Sequence, residues 1–242
     1  MAHVTNVVSY SRLVDICSGH GGNYKPGNGN LQLKAMRALL EKAQSSLHDV
    51  SQKRNALSEI TNERARMFSS LNALVGKVIR TLKASQVGDD TLANARYYSR
   101  LINGVLKSRN GREPIPSEEA DADPPVGRTL TQRSYVAKAY NFGRLAQLIQ
   151  GVEGYATQSE ELKPAGLLET ARQLEALNGK WSQARVALKN ARIYRNAVLY
   201  KGKGALVHNG AAVKDYLRAE FGPRGEESSR LTEIGFTKPL IR

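Results

Sequence analysis

The chain of 242 residues carries one cysteine, Cys17. A single thiol excludes an intramolecular disulfide framework. Aromatic residues make up only 6% of the chain, and the long stretches lack the alternation of Val, Ile and Thr that a sheet requires. No apolar run approaches the ~18 residues of a membrane span. The opening MAHVTNVVSYSRL lacks a basic start followed by an apolar segment, so no signal peptide is read and the expected location is the cytoplasm. Motifs of catalysis are missing as well: there is no G-x-S-x-G elbow, H-E-x-x-H helix or EF-hand loop.

What remains is rich in Ala, Leu, Gln, Arg and Lys, which favour helix. The net charge is +14. Residues 1–110 carry 16 Lys and Arg against 7 Asp and Glu, and residues 128–242 carry 19 against 10. Between them, residues 111–127 hold one basic residue, five acids and four prolines. Such a segment cannot be helical throughout and reads as an extended acidic linker. Two equally basic halves therefore flank it, and a basic surface attracts anionic partners.

The two halves resemble each other. Ser11-Arg12-Leu13 answers to Gly143-Arg144-Leu145, Tyr24 to Tyr155, and Asn30-Leu31 to Glu161-Leu162, the last two at a separation of 131. Val78, Leu82, Lys83 and Ala84 answer to Val213, Leu217, Arg218 and Ala219 at a separation of 135. This order predicts a tandem duplication, with small insertions in loops. The expected fold is all-α: a first helical repeat over 1–110, a linker over 111–127, and a second repeat with a C-terminal arm over 128–242.

Apolar residues recur at steps of 3 and 4 through Leu33, Met36, Leu40, Ala43, Leu47, Val50 and Leu57, then Phe68, Leu71, Val75, Val78 and Leu82. Arg54, Thr61 and Arg64 hold the same register. The second half repeats the stripe at Leu167, Leu174, Leu177, Trp181, Ala184, Leu188, Ala191 and Val198, with Thr170 and Arg195 in register. A repeat of 3.5 keeps one stripe facing a partner, as in bundles within a chain and coiled coils between chains. Trp181 is expected to be buried in that stripe. Punctuation predicts a helix from Leu31 capped by Asn30, a short helix after Gly88 ending near Gly104, and another at about 205–221.

The runs ARIYRNAVLY (191–200) and VKDYLRAEFG…SSRLTEIGFTK (213–238), with the Tyr24 and Tyr155 turns, resemble a family of duplicated all-helical bacterial proteins of this general size. The resemblance covers about the last third of the chain. It implies a fold type and no activity.

Cys17 and His20 have metal-like spacing, but zinc needs three or four ligands and no second pair follows. The glycine-rich SGHGGNYKPGNGN (18–30) lacks a P-loop ending, so turns explain it better than phosphate binding. The sequence thus predicts no catalytic, cofactor or metal site and indicates no small-molecule substrate. Its strongest constellation is basic. Arg185, Lys189 and Arg192 share one helix face, with Lys214 and Arg218 beyond, while Arg64, Arg66, Arg80 and Lys83 occupy the matching region of the first half. Tyr97, Tyr98, Tyr194, Tyr200 and Tyr216 lie among these cations, a mixture suited to nucleic acid or another acidic partner. The tail EIGFTKPLIR reads as an extended apolar arm that would pack on a neighbouring copy through Phe236, Leu240 and Ile241, or fold back over its own repeat. The functional expectation is a non-enzymatic scaffold that self-associates into a homo-oligomer; the alternative is nucleic-acid binding through the paired basic faces.

Overall fold

A computed structural model describes residues 2–104, 134–222 and 226–238. Among them are seven α-helices and no strand. They are α1 (Ala2–Gly19), α2 (Leu33–Ala84), α3 (Asp89–Asn103), α4 (Tyr135–Gln150), α5 (Pro164–Tyr200), α6 (Leu206–Phe221) and α7 (Glu226–Glu233). The acidic segment 111–127 lies outside the described residues, as do Leu240 and Ile241.

Helix ends follow local chemistry. Ser134 accepts from the Ala137 amide at 3.1 Å and starts α4, a side-chain N-cap. Asp89 and Asp90 open α3, where their charge complements the helix dipole. Gly104, at φ 68°, ends it in the left-handed conformation that glycine tolerates best. One boundary differs from expectation. Asn28, not Asn30, provides the capping oxygen, and a 3₁₀ turn at Gly29–Leu31 precedes α2. The Tyr24 hydroxyl donates to the Leu31 carbonyl at 2.7 Å, and the first bond into the helix instead joins the Met36 amide to Gln32. The Tyr155 hydroxyl donates to the Leu162 carbonyl at 2.9 Å before α5 in the same way.

The chain forms two compact units, Met1–Ser58 with Ala184–Arg242, and Glu59–Gln183. These do not follow the division at residues 111–127, because α2 and α5 are each long enough to serve both units. The first unit, unit 1, buries Tyr10, Leu13, Met36, Leu199, Leu206 and Val213 in one apolar cluster. The second, unit 2, buries Phe142, Leu145, Ile149, Leu71, Leu82 and Ile102. Within α1 the buried positions include 7, 10, 13, 14 and 17; within α4 they include 139, 142, 145, 146 and 149, the same spacing. Buried positions 71, 75, 78 and 82 of α2 are spaced like 206, 210, 213 and 217 of α6.

Most apolar stripe residues are buried or half-buried. Trp181 departs from expectation, since it is half-buried rather than enclosed. Its indole covers the guanidinium of Arg64, which is the buried member of the pair.

The arm after α7 lies on unit 1. Asn6 grips it twice: its Nδ2 donates to the Thr237 carbonyl at 2.7 Å and its Oδ1 accepts from the Thr237 amide at 2.9 Å. The Phe236 ring is seated on Gly210 so closely that a Cβ there would come within 2.5 Å of it.

Candidate binding surfaces

On α5 the structure exposes Arg185, Lys189 and Arg192 together, as the spacing predicts. Val186, Ile193 and Tyr194 are exposed beside them. The exposed part of α5 in unit 1 is thus a basic stripe edged by apolar groups. Lys201, Lys203 and Arg218 are also exposed, and Arg218 pairs with Asp215 at 3.5 Å.

Two candidate cations are committed to the fold. Lys214 donates from Nζ to the Ile234 carbonyl at 2.6 Å. Burial and then the Arg218 charge hold its amine below its ordinary value. Arg64 lies between two rings, 4.4 Å from the Trp181 centroid and 4.6 Å from that of Tyr135. This cation–π sandwich offsets its burial, and its Nε has no hydrogen-bond partner among the described residues. A guanidinium so enclosed is unavailable to a phosphate. Arg66, Arg80 and Lys83 remain exposed on unit 2. Of the interleaved tyrosines only Tyr194 is exposed, at 55%: Tyr200 is buried, and Tyr216 lies edge-on to Tyr24 with centroids 5.5 Å apart.

Sequence reasoning passed over a second group. Arg54 and Arg195 occupy stripe positions where an apolar residue is the rule, which was the visible signal. The charges of Arg192 and Arg54 act on Arg195, and that of Arg195 acts on His3. His3 Nδ1 lies 2.7 Å from the Tyr200 hydroxyl, and that hydroxyl receives the Asn6 amide at 3.2 Å. Burial, then the Arg195 charge, holds His3 below its ordinary value.

Cys17 is buried, and burial pushes its thiol up to about 11. His20 stacks on Phe221 with centroids 4.0 Å apart. Among the described residues no three His, Cys, Asp or Glu side chains group as metal ligands. An open cleft of about 410 Å³ between Val87–Thr91 and Gln147–Glu153 in unit 2 holds a single ionisable side chain, Glu153.

Comparison with protein-family models, curated proteins and solved structures finds no match, and so adds nothing to the resemblance seen at 191–200 and 213–238.

Proposed function

We propose that this chain is a non-enzymatic structural protein, a tandem duplication of one helical unit that assembles with copies of itself in the cytoplasm. One observation carries the proposal. Val4 and Val8 of α1 are 58% and 47% exposed, and Val136 and Tyr140 of α4 are 44% and 61% exposed. Residues four apart share a helix face, and the second pair follows the first by 132 positions. Isolated exposed apolar residues are ordinary; the same pair presented on each unit makes the chain bivalent. Such contacts form rings, or filaments where the rotation does not close.

Several features support the duplication. The Tyr24 and Tyr155 hydroxyls make the same bond to a carbonyl seven residues on. The starts of α2 and α5 lie 131 positions apart. Four residues, Lys201–Gly204, account for the change from 131 to 135, and they fall where α5 ends while α2 runs on. The apolar stripes serve the cores of the chain itself, so assembly is assigned to the α1 and α4 faces. No helix of the described residues is long and apolar enough to cross a membrane. Sedimentation of the full chain, with Val8→Lys and Tyr140→Lys introduced singly and together, tests the proposal.

The exposed Arg185–Lys189–Arg192 stripe favours a second reading, nucleic-acid binding. Affinity should then fall steeply with salt as counterions are released, and each Arg→Gln change should reduce the salt slope by about 1. A full chain that binds neither DNA nor RNA at ~50 mM salt contradicts it.

A further inference from the structure

Unit 1 gathers three arginines where its long helices pack, and among the described residues none has a carboxylate partner. Val50 and Leu57 of α2 pack with Leu188 and Ala191 of α5. Arg54 stands one helical turn from both Val50 and Leu57. Arg192 adjoins Ala191, and Arg195 follows one turn on, so Arg192 and Arg195 are neighbours on α5.

Arg195 is half-buried. Burial lowers its guanidinium from its ordinary value, Tyr200 acts in the opposite sense, and the charges of Arg192 and Arg54 lower it further. Its Nε and Nη2 both donate to a neutral acceptor, Asn196 Oδ1, at 3.1 and 2.8 Å. His3 extends the cluster from α1. With the Tyr200 hydroxyl donating to His3 Nδ1, the imidazole proton sits on Nε2 as a donor. Like charges held together at a partly dry helix packing cost free energy unless an anion neutralises them.

Unit 2 shows another solution at a corresponding place. Arg64 precedes Arg195 by 131 positions and is covered by Trp181 and Tyr135. At the same spacing from Trp181 and at one residue more from Tyr135, unit 1 has Val50 and His3. A valine cannot span the guanidinium as an indole does. Where unit 2 closes over its arginine with rings, unit 1 presents more positive charge.

We propose that Arg54, Arg192 and Arg195, with His3, form an oxyanion site that takes a phosphate group. Guanidinium forks match the oxygen spacing of phosphate and bind it by paired charge-assisted hydrogen bonds. Free phosphate and the phosphodiester of a nucleic-acid backbone share this chemistry, and the neighbouring phosphates of a backbone would meet Lys189 and Arg185 along α5. The site does not rest on self-association, and its phosphate arm does not rest on nucleic-acid binding.

The test uses the full-length protein. Melting and calorimetric titration are followed in sodium phosphate and in sodium chloride of equal ionic strength. Phosphate should raise the melting temperature beyond the chloride value. Arg54→Gln and Arg195→Gln should each weaken phosphate binding by about tenfold, the size expected for one lost charge-assisted contact, while Arg96→Gln on unit 2 leaves it unchanged. Arg54 is exposed, so Arg54→Gln should fold. In chloride at low ionic strength it should melt at or above the wild type, because a like charge has gone; in phosphate it should melt below. Phosphate that stabilises no more than chloride, or that stabilises wild type and Arg54→Gln alike, overturns the site. With phosphate binding established, displacement of bound phosphate by a short single-stranded oligonucleotide assigns the group to a nucleic-acid backbone. Failure to displace it assigns the site to free phosphate and counts against the nucleic-acid reading alone.

Discussion

The guanidinium of Arg64 lies 4.4 Å from the ring centroid of Trp181, and the indole Nε1 donates to Thr61 at 3.1 Å. A cation at a position that should be apolar is thereby tied to the only tryptophan of the chain. Trp181→Ala removes the ring and opens a buried charge to water. Because the indole is half-buried, the cost should fall at or below the low end for large-to-small changes, about 2–3 kcal/mol. Urea unfolding followed by circular dichroism measures it, and a neutral substitution contradicts the arrangement.

At the start of α5, a Cβ on Gly166 would collide with the Glu160 carbonyl oxygen. Backbone cannot move aside as a flexible side chain can. Gly166→Ala should therefore destabilise by about 1–3 kcal/mol, the usual cost of overpacking, despite alanine's better helix propensity. Gly179→Ala on the same helix has open space around it and should be neutral or stabilising. Equal effects of the two would contradict the geometry at Glu160.

Loss of the Asn6 side chain should free the arm. Asn6→Ala leaves the Thr237 amide and carbonyl without their partner and empties a buried position. A cost of about 2–4 kcal/mol follows from the two hydrogen bonds lost to the arm and the one lost to the Tyr200 hydroxyl, which keeps His3. Limited chymotrypsin digestion should cut after Phe236 faster in the variant. Unchanged cleavage would mean the arm is held elsewhere.

Alkaline pH should loosen unit 1. Burial pushes Cys17 up to about 11, and it pushes Tyr10 and Tyr24 above their ordinary 10.0. These folded-state values exceed the unfolded ones, so their stabilisation is complete below the unfolded values. It is lost as the pH rises from about 9 towards the folded values. The urea midpoint should hold up to about pH 9 and fall beyond it, and Cys17→Ala should soften only the first part of that fall. A midpoint unchanged up to pH 11 would contradict the burial of these groups.

Much of this architecture was legible in the sequence. The steps of 3 and 4 through Leu71, Val75, Val78 and Leu82 marked a face that the structure buries, and Gly104 marked the end of α3. What the sequence concealed was pairing across distance. Nothing local told that Arg64 would find two rings while Arg195 would feel the charge of Arg54, or that Lys214 would hold a carbonyl of the arm rather than an external anion. The start of α2 was misplaced by two residues for the same reason: the competing donor to Leu31 is a tyrosine seven positions earlier. Phe236 illustrates the limit well. Its apolar tail suggested a partner in another chain, and the seat at Gly210 depends on a glycine that periodicity treats as a blank.

Self-association is the central claim, and sedimentation velocity of the full-length protein over a concentration series tests it most directly. The exposed pairs Val4–Val8 and Val136–Tyr140 predict concentration-dependent growth beyond the monomer. Val8→Lys or Tyr140→Lys alone should limit that growth. The double variant should remain monomeric with an unchanged helical spectrum, since both positions face solvent. A wild-type chain that stays monomeric at high micromolar concentration and low salt, or a double variant that assembles as the wild type does, would contradict the account.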